Sequence, residues 1–400
     1  MKLFRSLLIA PASLGLLSPL AASANEVNLN EISNFSKFAV ADVENIEHSE
    51  EEIFEIVDSF KKSPESSTLI AGGEGMVHDH SSDSFSSTTT ASFSADMAIG
   101  AVDGMGTSAT VTDGTEAISA VYGFQIDLNT SFTGEDSLDI SIDAGSTQAS
   151  LTELDLNGGG DTLSVDGVSY TFPLGDKTTV FVGDNTDGSA LFSTACVYGG
   201  ITNTLDDCGN VNSAIGSGQG TAAGASFDIG GGLSAAVGYT GPGSTTDGLM
   251  TAEGEDSWAG QLTYTADSYG LSLTYAYIDK GDTITYDTNY SAINGYWTPS
   301  DPSFPSVSVG YEQGDSSEWW RPNTSTFFVG LQWDEVGPGT FGAAAGTVGH
   351  IRDINPEYYM YEAFYSYPLN DGMTVTPVVY IKETADADET GVIVKTSFSF

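Results

Sequence analysis

Basic residues are scarce. The 400-residue chain carries 11 Lys and Arg against 55 Asp and Glu, a formal net charge of −44. So few cations cannot neutralise a row of phosphates, which excludes nucleic acid as a partner and disfavours docking on anionic headgroups. Cysteine is nearly absent as well: Cys196 and Cys208 are the only two, too few for a disulfide scaffold or most zinc modules. Past the amino-terminal region no stretch approaches the ~18 uninterrupted apolar residues of a transmembrane helix, so any membrane crossing must use strands. Histidine is limited to four residues, and no nucleophile–base arrangement emerges, so neither an enzyme nor a cofactor is expected. His78-Asp79-His80 with Asp83 has metal-like chemistry but sits in a polar linker with no further ligand at fixed spacing, so no metal site is assigned. The glycine runs 158–160 and 230–232 lack a following Lys-Ser/Thr and read as turns, not phosphate loops.

What is present is small, polar and aromatic: 47 Gly, 11% aromatics, and a hydrophobic share of 40% that argues against disorder throughout. Lys2 and Arg5, the apolar stretch 7–20 and Ala22-Ser23-Ala24 have the order of a secretory signal peptide spanning 1–24. Its removal takes two positive charges and leaves the remainder at about −46. Residues 25–87 read as a periplasmic helical stalk and polar linker. Val43, Ile46, Ile53, Ile56 and Phe60 fall at helical spacing among acids, and Ser63-Pro64 ends the pattern. The stripe over 40–63 suits a spacer, or a docking segment for peptidoglycan or a periplasmic partner.

From Thr88 the pattern switches to period two. Phe124, Ile126 and Leu128 alternate with Gln125, Asp127 and Asn129, and Leu271, Leu273 and Tyr275 alternate with Ser272, Thr274 and Ala276. Sixteen candidate strands follow, near 88–99, 118–132, 138–145, 163–173, 177–183, 224–229, 233–240, 257–266, 269–278, 288–297, 304–313, 323–334, 339–348, 357–367, 372–383 and 389–400. Connections alternate between short (230–232, 267–268, 335–338) and long (100–117, 146–162, 184–223). A soluble sandwich has no reason to keep that parity. It is the signature of an outer-membrane barrel, so the predicted fold is an all-β transmembrane antiparallel barrel over 88–400. Trp258, Trp297, Trp333 and Phe400 fall at strand ends, where aromatic girdles meet the headgroups.

A barrel of that size leaves an aqueous channel. The third long connection, 184–223, contains both cysteines and is expected to fold into the lumen as a constriction loop closed by a Cys196–Cys208 disulfide. Asp127, Asp139 and Asp143 should line the pore, opposed chiefly by Lys177, Lys382 and Lys395, which predicts cation preference. Phe364, on the strand face of Glu362, is a candidate lumenal aromatic for sugar stacking.

Several segments carry a family resemblance: 127–136 (Asp-Leu-Asn-Thr-Ser-Phe-Thr-Gly-Glu-Asp), 170–176 (Tyr-Thr-Phe-Pro-Leu-Gly-Asp), 328–333 (Phe-Val-Gly-Leu-Gln-Trp), Val375-Thr376-Pro377 and 394–400, together with Glu26-Val27-Asn28-Leu29-Asn30. On these the chain resembles the carbohydrate-selective porin family, in its cyanobacterial outer-membrane, iron-uptake-type branch. It lacks the S-layer-homology domain usual between signal and barrel there. The resemblance implies an outer-membrane porin, embedded in lipid as a homotrimer, that passes small hydrophilic solutes and inorganic ions. The alternatives are a carbohydrate-selective channel or a structural link between outer membrane and cell wall.

Overall fold

The computed structural model describes residues 88–400 except 105–116, 148–150, 155, 157–158, 209–219, 244–247, 282–286, 317–322, 350, 353–355 and 386–387. The expected signal peptide and the stalk and linker of 25–87 lie outside the described residues.

The described residues form one closed antiparallel sheet. Its strands are β1 (Thr89–Asp103), β2 (Ser119–Thr130), β3 (Ser137–Gly145), β4 (Ser164–Pro173), β5 (Thr178–Thr186), β6 (Gly220–Gly230), β7 (Leu233–Gly241), β8 (Asp256–Thr265), β9 (Tyr269–Asp279), β10 (Thr288–Trp297), β11 (Ser306–Ser316), β12 (Thr324–Val336), β13 (Gly339–Thr347), β14 (Ile351–Arg352), β15 (Tyr359–Asn370), β16 (Met373–Lys382) and β17 (Glu389–Ser399). β14 is a two-residue piece that pairs with β12, as β13 does, so it prolongs the β13 stave and the barrel has sixteen staves. Each stave pairs with its chain neighbours. Closure is made by β1, which meets β2 on one side and β17 on the other, in a register running from Ser94↔Ser399 to Asp103↔Thr390. No helix among the described residues is long and apolar enough to cross a membrane.

Alternation fixes which face each residue takes. In β1 Phe93, Met97 and Ile99 point outward and are exposed, and their β2 partners Ile126, Tyr122 and Ala120 share that face. The same face continues through Val182, Val237, Leu262, Leu273, Ile293, Val309, Val329 and Val394, all exposed. An unbroken apolar outer belt on a protein this acidic has one stable surrounding, hydrocarbon. Trp258, Trp297, Trp333 and Phe400 lie on this outer face near strand ends, and Phe400 stacks on Phe93 at 5.9 Å.

Short turns occupy one rim. The β6–β7 turn runs Gly230-Gly231-Gly232 with φ of 99, 66 and 85°, a backbone that side chains with a Cβ rarely adopt. The β2–β3 turn is built around Asp136, which accepts hydrogen bonds from the Tyr170 hydroxyl (2.6 Å), the backbone N–H of Phe132 and Thr133, and the hydroxyls of Ser131 and Thr133. These donors, Tyr170 foremost, hold its carboxyl well below the usual carboxylate range.

Candidate functional site: the lumen and the two loops within it

Inward-facing positions follow directly from the register. Ser92, Ser94, Asp96 and Ala98 of β1 face the lumen, as do Gln125, Asp127 and Asn129 of β2 and Ser137, Asp139, Ser141 and Asp143 of β3. By this register Asp127, Asp139 and Asp143 lie on the inner face of the sheet. Each is held by neighbours: Asp127 accepts from Gln125 Nε2 (2.6 Å) and Ser141 Oγ (2.7 Å), Asp139 from Asn129 Nδ2 (2.6 Å) and Ser137 Oγ (2.7 Å), and Asp143 from Ser164 Oγ (2.6 Å). These partners are neutral side chains, so none of these contacts pairs the three carboxylates with a cation. A cleft on this wall is lined by Asp139, Ser141, Asp166, Ser169, Asn185 and Asp187.

The two halves of the wall differ. Ser92, Ser94, Asn129 and Ser164 on β1–β4 are exposed within the barrel. On β8–β17 many inward side chains are buried, among them Gln261, Ser272, Asn294, Ser308, Glu312, Phe328, Glu362 and Val378. The β5–β6 connection crosses to that covered side. β5 runs on to Thr186 and β6 begins at Gly220, so the connection is 187–219, shorter at both ends than the 184–223 expected from sequence. Along it, the N–H of Ser193 donates to Gln261 (2.7 Å), that of Val197 to Ser308 Oγ (3.0 Å) and that of Gly199 to Gln332 (2.9 Å). The contact then passes to β15. Glu362, 4% exposed, accepts from the Tyr198 hydroxyl (2.7 Å), the Ile201 N–H (3.3 Å) and the Thr202 N–H (2.8 Å). Cys196 and Cys208 are joined, with their Cα atoms 5.9 Å apart, and the bond closes the segment that holds Tyr198 and Thr202.

Phe364 does not stand free in the channel. It is 3% exposed and meets the Tyr198 ring at 5.8 Å, with Phe328 on the same ring at 5.5 Å. Phe364 shares the inward face of Glu362, and the loop lies on that face, so the candidate sugar-stacking aromatic is a loop anchor. Two of the three basic candidates are paired with acids. Lys382 donates to Glu153 (2.5 Å), and Lys395 lies 3.3 Å from Asp96. Lys177 sits in the β4–β5 turn, where its carbonyl accepts from the Asp228 N–H.

The sequence pattern places the β3–β4 connection among the long outer loops, whereas the structure folds its leucines into the barrel. Leu151, Leu154 and Leu156 from it are buried and join the inward side chains Val102, Met360, Val378 and Ile393, with Leu205 and Tyr198 of the β5–β6 connection, in one apolar cluster. A bridge pairs Leu154 with Thr202. The signal was present: three leucines spaced by two or three in a loop otherwise Gly-, Thr- and Asp-rich.

No family model and no characterised protein sequence matches the chain. Among solved structures it is similar to Pseudomonas putida OprB in its high-pH form (12% identity, 78% of this chain and 94% of that one, TM-score 0.53). It is similar to an anion-selective porin from Comamonas acidovorans over 78% of this chain and 99% of that one, at 12% identity and a TM-score of 0.53. A loop-deletion mutant of OmpT, an outer membrane protein of Vibrio cholerae, matches at 10% identity over 78% and 100%, TM-score 0.52. At such identities the likeness establishes architecture, and the chain has the closed, sixteen-stave barrel fold of the bacterial porins.

Proposed function

We propose that the chain is an outer-membrane porin forming a water-filled channel for passive diffusion of small hydrophilic solutes and inorganic ions, with preference for cations. The observation that carries the reading is the division of the lumen: the covered half seats the loops, while the open half presents Asp127, Asp139, Asp143 and Asp166, and the wall bases Lys382 and Lys395 are each paired with an acid. Carboxylates along one wall of a narrow aqueous path raise local cation concentration and repel anions. The Comamonas neighbour is named anion-selective; a shared barrel leaves the sign of selectivity to the side chains lining it, and here these are acids. The segment 187–208 that crosses the lumen is the constriction, and the Cys196–Cys208 bond holds its shape. A carbohydrate-selective channel, which the family of the sequence resemblance implies, is the second reading, weakened by the burial of Phe364 and Phe328 beneath Tyr198. The porin-type fold also supports a homotrimer, to be read by light scattering of the detergent-solubilised protein. Tethering to the cell wall through residues 40–63 is the remaining expectation. Deleting that segment should leave conductance intact, and detached outer membranes would then assign it the tether.

Liposome swelling tests the channel. Vesicles containing the folded barrel should swell in isosmotic salt and small neutral solutes, at rates falling steeply with solute size. Swelling no faster than in protein-free vesicles would reject the porin reading.

A further inference from the structure

Glu153 is placed where three parts of the molecule meet. It lies in the β3–β4 connection and is 4% exposed. One carboxylate oxygen accepts from Lys382 Nζ on β16 at 2.5 Å, and the other from the Thr204 hydroxyl of the β5–β6 connection at 2.8 Å. Its backbone carbonyl accepts from the Asn203 N–H at 2.9 Å, and the neighbouring Thr152 carbonyl accepts from Asn203 Nδ2 at 3.3 Å. With the Leu154–Thr202 bridge and the shared leucine cluster, these contacts bind the two connections into one body inside the barrel.

That body has two charged attachments to the wall. Glu362 holds the β5–β6 segment from β15, and Lys382 holds the β3–β4 segment from β16. The first attachment touches the constriction directly. The second reaches it through Glu153, because among the described residues the only ion pair of Lys382 is with Glu153. A part-buried charge-assisted contact of this kind fixes position as much as it stabilises, since among the described residues no other cation forms an ion pair with Glu153.

We propose that Glu153 and Lys382 are positioning residues for the constriction: the β3–β4 connection clamps the β5–β6 segment from behind, and the ion pair sets how far that segment projects into the channel. The inference rests on the porin reading, which assigns the segment as constriction. It goes beyond that reading by giving a second loop, with no wall-lining role of its own, control over pore size.

Charge exchange tests it. Glu153→Lys and Lys382→Glu each place two like charges at the clamp, and the double exchange restores an opposite pair. In the folded full-length protein, amide hydrogen exchange at Thr202 and Asn203 should quicken about tenfold in each single variant, the scale of one lost buried charge contact, and recover in the double. Open-channel noise and step size should rise in the singles and return in the double, with the barrel's thermal unfolding unchanged throughout. Wild-type exchange rates at both amides in the single variants would overturn the proposal, and so would singles and double that behave alike. The exchange readout does not need the channel to conduct, so a silent wild-type barrel would reject the porin reading while leaving the clamp judged by exchange alone.

Discussion

Replacing Glu362 by alanine should release the constriction without unfolding the barrel. Three donors converge on that carboxylate, the Tyr198 hydroxyl and the N–H groups of Ile201 and Thr202, and all lie in a covered part of the lumen. Left dry and unpaired, each costs about 1–3 kcal/mol, so keeping the loop in place would cost roughly 3–9 kcal/mol. Opposing this are the apolar contacts of Tyr198 and Leu205 in the inner cluster, worth about 1.5–3 kcal/mol each if fully burying those side chains, or roughly 3–6 kcal/mol together. The two sums overlap. The segment should therefore leave the wall for a sizeable part of the time, and the Cys196–Cys208 bond makes it move as a closed ring. The strand itself survives, because Glu362 is paired through its backbone with Ala344 and Tyr380. Single-channel recording of Glu362→Ala should show larger steps with rapid flicker, and Glu362→Gln, which keeps one acceptor oxygen, a smaller change. Exchange at the Ile201 and Thr202 amides should rise in the same order. Wild-type traces together with wild-type exchange in the alanine variant would refute the reasoning, since three buried donors would then have lost their acceptor at no cost.

Converting Asp127, Asp139 and Asp143 together to Asn should move the reversal potential in a salt gradient toward the non-selective value. The shift should be larger at 0.01 M than at 1 M salt, where the screening length falls to about 3 Å; an unchanged reversal potential at low salt would remove these acids from the filter. Changing Cys196 and Cys208 to Ser deletes a ring whose closure is worth about 3 kcal/mol by chain entropy for a separation of 12 residues, so gating should change and melting should come at a lower temperature while the barrel still folds. Identical channel traces would sink that role. Asp136→Asn probes the β2–β3 turn. The folded-state pKa of this carboxyl is depressed, so the stability it contributes is present above the ordinary carboxylate value of about 4 and is lost as pH falls toward the folded-state value. The Asn variant should melt below the wild type at pH 7, with the gap closing in strong acid; a gap that stayed constant would mean that charge is not what the turn uses.

Much of this architecture is written in local pattern. Period-two alternation locates strands because a barrel wall asks every residue to choose oil or water, and β10 was placed at 288–297, the span it occupies. Where the contrast fades the boundary slips: Gly220–Ala223 carries almost no polarity signal, so β6 was started at 224 instead of at Gly220. The inward direction of Asp127, Asp139 and Asp143 was equally legible, since it needs only a parity. What lies over the wall was not. The Tyr198–Glu362 contact joins residues 164 apart, and the Glu153–Lys382 contact residues 229 apart. Parity points Phe364 inward, but only the course of the 187–208 segment shows that Tyr198 sits on it. The leucines of the β3–β4 connection were visible as an oddity in a polar loop. Their destination depends on the inner face of β15–β17 and β1, where Met360, Val378, Ile393 and Val102 supply an apolar patch that a purely aqueous lumen would not contain.

The central claim is an open channel whose free wall is acidic. Single-channel conductance of the folded protein in planar bilayers, with the reversal potential read across a salt gradient, tests it most directly. The account predicts steady ohmic steps with a reversal potential on the cation-selective side. A correctly folded barrel that passes no current, or one selective for anions, would contradict it.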